Sequence, residues 1–85
     1  MKPGDMVIYT DSIRRDHNAL VTAVWGPVCI NVVYTSQDES KTDSYGRQIE
    51  RQTSAMKYDA NNWNFGSCWR EVGTEATFVD HPLSK

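Results

Sequence analysis

From Asn18 to Thr35 the chain has a hydrophobic pattern found nowhere else in it. Asn18-Ala-Leu-Val-Thr-Ala-Val-Trp25 is followed by Gly26-Pro27 and then by Val28-Cys-Ile-Asn-Val-Val-Tyr-Thr35. Both arms are rich in β-branched and aromatic residues and are bounded by polar segments, which predicts two strands. Neither arm has the period or the polar face of an amphipathic helix. A two-residue Gly-Pro loop predicts a type II′ hairpin turn, with a longer loop as the alternative. The two-residue loop pairs Trp25 with Val28, Ala23 with Ile30, Val21 with Val32 and Ala19 with Tyr34, all on one apolar face that should be the core. The opposite face carries Leu20 with Val33, Thr22 with Asn31 and Val24 with Cys29. It is still largely apolar and holds no charge, so it too is expected to be covered: by the chain's own termini, by a partner subunit or by a ligand.

The rest of the chain supplies further strands around this hairpin. Lys2-Pro3-Gly4-Asp5 predicts a turn and Met6–Tyr9 a first strand, joined to the hairpin by a polar loop over 10–17. Ser36 to Gly46 is a long polar loop of the kind that is often functional. Residues 47–56 are predicted as a strand, although Gln, Glu and Arg also favour helix. Lys57 to Gly66 holds a turn-forming loop, Ser67–Val72 a last strand that closes against the first, and Gly73 its end. Residues 74–85 hold a short strand or tail. The expected architecture is therefore all-β: a single five- to six-stranded, SH3-like, partly open barrel over residues 1–73.

Composition narrows the function classes. A chain of 85 residues makes one domain that buries about 60–65 % of its unfolded surface, so homo-oligomerisation would help it. The formal net charge of −2 gives no overall field to attract nucleic acid. No apolar run approaches the roughly 20 residues of a membrane span, and the first residues lack the apolar segment of a signal peptide, so a cytosolic protein is expected. Cys29 and Cys68 do not make a zinc set and are expected as reduced thiols. His17 and His81 have no partner at a spacing that fixes a catalytic geometry, and each is expected at the surface. Asp38, Glu39 and Asp43 lack the spacing of a calcium loop. No cofactor is expected, and no catalytic motif is present.

Several segments together carry a resemblance: Lys2–Val7, His17–Gly26, Asn31–Tyr34, Lys41-Thr-Asp-Ser-Tyr-Gly-Arg-Gln48 and Thr53-Ser54. Over about residues 2–70 the chain resembles small, functionally uncharacterised accessory proteins of tailed bacteriophages and prophages. The run Asp43–Gln48 is its most specific part. The resemblance implies an SH3-like barrel acting in the bacterial host cytoplasm and brings no known active site. In such relatives a histidine follows Thr53-Ser54. Here Ala55, Met56 and Lys57 stand instead, which argues against a catalytic or metal role for that segment.

The candidate ligand-binding residues are Tyr45, Gly46, Arg47, Gln48, Arg51 and Trp63. Gly46 permits positive φ or a close backbone approach, Tyr45 offers a ring for stacking, and Arg47 and Arg51 offer donor forks for phosphate or carboxylate. On one strand the two arginines would share a face about 13 Å apart. Trp63 and Phe65 form either a recognition tip or a plug for the barrel's open end, and Trp69 is expected in the core. The expected function is a non-catalytic phage counter-defence protein that sequesters a small nucleotide-like signalling ligand or binds a host defence protein. A nucleic-acid-binding barrel and a virion or assembly component are the alternatives.

Overall fold

In a computed structural model, residues 1–59 and 67–75 are described; Trp63, Phe65, His81 and the expected strand at 76–79 lie outside them. Among the described residues, seven strands run in chain order: β1 (Met6–Thr10), β2 (Asp16–Val24), β3 (Cys29–Thr35), β4 (Thr42–Asp43), β5 (Gly46–Arg47), β6 (Ile49–Lys57) and β7 (Cys68–Glu71). Five of them form a closed barrel in the order β1-β2-β3-β6-β7, and β4 and β5 form a separate small hairpin. The architecture is the all-β barrel expected, with 49–57 a strand and not a helix. Closure is complete, because β7 lies antiparallel to β1 and parallel to β6. That second seam is narrow, only Met56 with Cys68 and Lys57 with Trp69. Among the described residues no helix is long and apolar enough to cross a membrane.

The period-2 pattern places the core. Val7 and Tyr9 of β1, Ala19 and Val21 of β2, Ile30 and Val32 of β3, Ala55 of β6 and Trp69 of β7 all point inward and are buried. Each large side chain so buried contributes on the order of 1.5–3 kcal/mol. β6 supplies little of this: only Ala55 is buried along its length. Its polar composition suits a strand held by its backbone pairs to β3.

The central hairpin departs from the expected register over its distal half. Leu20 pairs with Val33 and Val21 with Val32, but Ala23 then pairs with Asn31 and Val24 with Ile30. Thr22 is therefore an extra residue on β2, a bulge. Trp25 N–H donates to Cys29 O at 2.9 Å, so the loop is the three residues Gly26-Pro27-Val28. Gly26 is not among the glycines with positive φ, which a type II′ turn would need. One inserted residue flips every side chain beyond it. Val24 consequently packs against the core, while Trp25, expected inside, is 66 % exposed.

A second bulge faces the first. On β6, Ala55 pairs with Ile30 and Gln52 with Val32, which leaves Thr53 and Ser54 together opposite Asn31. Ser54 takes a φ of 55°. Asn31 thus sits between two bulges, and its side chain secures both. Its Oδ1 accepts from Ser54 N–H at 2.9 Å and from the Trp25 indole Nε1–H at 2.8 Å.

Candidate ligand-binding site on the outer face

The residues of the Asp43–Gln48 run are brought together only in part. Thr42 pairs with Arg47 and Asp43 with Gly46, so Ser44 and Tyr45 are the tip of a tight hairpin. Asp43 Oδ1 accepts from Tyr45 N–H at 2.8 Å, and the Tyr45 side chain is 97 % exposed. Gly46 has a φ of 105°, and a Cβ there would meet open space. Gly46→Ala should therefore cost only the backbone strain, about 1–2 kcal/mol, read as a lowered midpoint in urea with unchanged slope. Gln48 holds the hairpin to the barrel through its backbone, donating to Lys41 O and accepting from Ser36 N–H, each at 2.8 Å.

Arg47 and Arg51 do not share a strand. The chain breaks between β5 and β6 at Gln48. The Arg47 guanidinium turns back on the preceding loop, donating to Ser36 O at 3.0 Å and facing Glu39 at 3.7 Å. Arg51 pairs with Val33 and lies on the outer face of β3 and β6. It has no ion pair among the described residues. Trp63 lies outside the described residues.

Arg51 borders a hollow of about 310 Å³ that also takes in Thr22, Asn31, Val33 and Thr53. Its size lies at the lower end of the range for small-molecule sites. It lies at the two bulges: Thr22 is the extra residue on β2, and Thr53 and Ser54 together oppose Asn31 on β6. Bulges of this kind re-aim side chains next to functional sites. The exposed Trp25 ring is tied to the same place by its bond to Asn31. Trp25, Thr22, Asn31 and Thr53 did not stand out as site residues in the sequence. The available signal was the polar pair Thr22 and Asn31 in the middle of an otherwise apolar strand face. Leu20 on that face is 40 % exposed, so the described residues do not cover it.

His17, expected at the surface, is buried. It lies on the inward phase of β2 with Ala19 and Val21, and its side chain is only 3 % exposed. Its polarity is met by Asp11: Nε2 and Asp11 Oδ2 are 2.8 Å apart. The ring packs on Tyr34 at 4.3 Å between centroids and on Tyr9 at 6.2 Å. Nδ1 is buried without a hydrogen-bond partner among the described residues. Asp11 also accepts from Ile13 N–H at 3.0 Å and Arg15 N–H at 2.9 Å, so one carboxylate shapes the β1–β2 turn and orients the histidine. Burial works against its ionisation, but the hydrogen bonds from His17, Arg15 and Ile13 outweigh it and hold the carboxyl below its ordinary value. This cluster supports the end of the barrel and brings no nucleophile to the histidine.

Both cysteines are free, Cys29 half-buried and Cys68 buried. Burial pushes the Cys68 thiol up, against the pull of Arg70, which makes it a poor nucleophile. Among the described residues no group of three or more His, Cys, Asp or Glu side chains is placed to hold a metal ion.

No family model, no curated protein and no solved structure matches this chain.

Proposed function

We propose that the protein is a non-catalytic binding barrel whose small-molecule ligand lies in the outer hollow between β2, β3 and β6. The observation that carries this reading is the pair of facing bulges around Asn31, which opens a hollow on a face that is otherwise apolar. Regular strands would have packed Thr22 and Thr53 into a flat surface. Their displacement opens a seat floored by Val33, with Arg51 at its edge and the exposed Trp25 ring close by. The groups on offer among the described residues are amides, hydroxyls, a guanidinium and methyl groups, with no imidazole, carboxylate or thiol among them. Such a set favours holding a ligand over moving its protons. Sequestration of a small signalling molecule, as expected from the resemblance to phage accessory proteins, is one use of a seat of this kind.

The test is the native mass of the chain. The protein, 9.7 kDa per chain, is incubated with a desalted small-molecule extract of bacteria and exchanged into volatile buffer. A retained adduct of a few hundred daltons, lost in Val33→Glu, is the expected result. The same bare mass with and without extract would overturn the proposal.

A further inference from the structure

We infer that the hollow recognises an oxyanion, a carboxylate or a phosphate group, through the side-chain amide of Asn31 acting together with Arg51. This rests on the hollow being the binding site proposed above and specifies what it binds.

Asn31 Oδ1 receives two N–H donors, from the Ser54 backbone and from the Trp25 indole. Both donors lack any acceptor capacity, so the opposite orientation would set an NH2 group against two N–H groups. The amide is therefore fixed with its oxygen spent and its Nδ2 left over. Nδ2 has no hydrogen-bond partner among the described residues, and Asn31 lines the hollow. Among the described residues its two N–H donors therefore have only solvent or a ligand to bond.

Charge points the same way. Between Asn18 and Thr35 there is no charged residue at all. On β6 the neighbouring carboxylate, Glu50, pairs with Tyr34 on the inward face and is engaged by Lys41 at 3.4 Å. Among the described residues, Arg51 is therefore the one formal charge lining the hollow. It lies across from Val33 on the neighbouring strand, and Val33 is two positions along β3 from Asn31, so Arg51 and Asn31 are diagonal neighbours about 7–8 Å apart. An oxyanion held by the amide on one side is within reach of the long, flexible Arg51 side chain on the other. A guanidinium and a fixed amide NH2 form a donor-only pair, which suits an acceptor-only group and disfavours a cation or an amine. Arg47, the other arginine of the sequence motif, lies on the separate β4–β5 hairpin, donates to Ser36 O at 3.0 Å, and is not among the residues that line the hollow.

The experiment is a titration of ¹⁵N-labelled protein at constant ionic strength with inorganic phosphate, with acetate and with glycerol. Saturable shifts of the Asn31 side-chain NH2 and the Arg51 Nε–H are expected with phosphate or acetate and not with glycerol. The anion that saturates at lower concentration identifies the source of the oxyanion. Arg51→Gln should weaken binding by about tenfold or more, the usual size of a charged hydrogen bond. Asn31→Asp keeps an acceptor for Ser54 and Trp25 but replaces the NH2 with a charged oxygen, and it should abolish the remaining Arg51 Nε–H shift. Equal shifts with glycerol, or undiminished phosphate and acetate shifts in both variants, overturn the inference. An extract adduct retained by the wild type and by both variants would also overturn it while leaving the hollow a binding site. Absence of both adduct and shifts would remove the two proposals together.

Discussion

Trp69→Ala should remove most or all of the cooperative unfolding transition, whereas Trp25→Ala should leave it nearly unchanged. Trp69 is 2 % exposed and is the largest fully buried side chain among the described residues. Its indole Nε1–H donates to Val28 O at 3.0 Å, and Lys57 Nζ lies 5.5 Å from its ring centroid. It also occupies one of the two residue pairs that join β6 to β7. Truncating a buried Trp costs about 3–5 kcal/mol, and stranding the Val28 carbonyl adds about 1 kcal/mol or more. A small domain has a total stability at the lower end of about 5–15 kcal/mol, so the loss approaches the whole. Trp25, two-thirds exposed, gives up one exposed hydrogen bond to Asn31, worth about 1 kcal/mol. Urea denaturation followed by far-UV circular dichroism measures both. Equal destabilisation by the two substitutions would mean that Trp25 is packed inside, as a two-residue hairpin loop requires.

That contrast shows where sequence reasoning about this chain holds and where it stops. The strands of the barrel follow from alternation, because Val7 and Tyr9, Ala19 and Val21, and Ile30 and Val32 keep a strict period of two. The expected pairing of the last strand with the first holds as well. The bulges were not. A bulge is one residue of slippage, chosen by the competition between burying Val24 and burying Trp25, and a long-range contact decides it. Here that contact is Asn31, whose single side chain reaches both Trp25 and Ser54, the latter 23 positions away. The consequence for the site is direct. Arg51 was visible as a candidate donor, but its companion Asn31 became visible only once the two bulges had been located. Arg47 was equally visible, and nothing local in the sequence showed that Ser36 O and Glu39 would claim it. His17 failed for a different reason: its partner Asp11 lies across a turn that the carboxylate itself builds, so the pair exists only after the turn has formed.

That turn is the second place where a single change should be costly. Asp11→Ala leaves His17 Nε2 buried without an acceptor, next to an Nδ1 that already lacks a partner among the described residues. It also frees the N–H groups of Ile13 and Arg15. Losing the acceptor of a buried charged hydrogen bond costs about 2–4 kcal/mol in such settings. His17→Phe, which removes the need for the acceptor, should lessen the cost of Asp11→Ala; a double-mutant cycle in urea would show a coupling of about 1–2 kcal/mol. The pH dependence provides an independent measurement. The folded Asp11 carboxyl sits below its ordinary value of 3.8, with burial opposing and the His17, Arg15 and Ile13 hydrogen bonds prevailing. Asp16 is lowered as well, chiefly by the hydrogen bond from Arg70. A carboxyl depressed in the folded state stabilises fully above its unfolded value and loses that contribution as pH falls through its folded value. As far as these two groups govern it, stability should therefore hold from neutral pH down to about 5 and decline below about 4. Asp11→Asn should make that decline shallower, because one of the two protonation events has been removed. Asp16 contributes the smaller share, since its side chain is 51 % exposed and solvent screens the pair. An acid decline of undiminished steepness in Asp11→Asn, with no coupling between Asp11→Ala and His17→Phe, would show that the turn is held by its backbone alone.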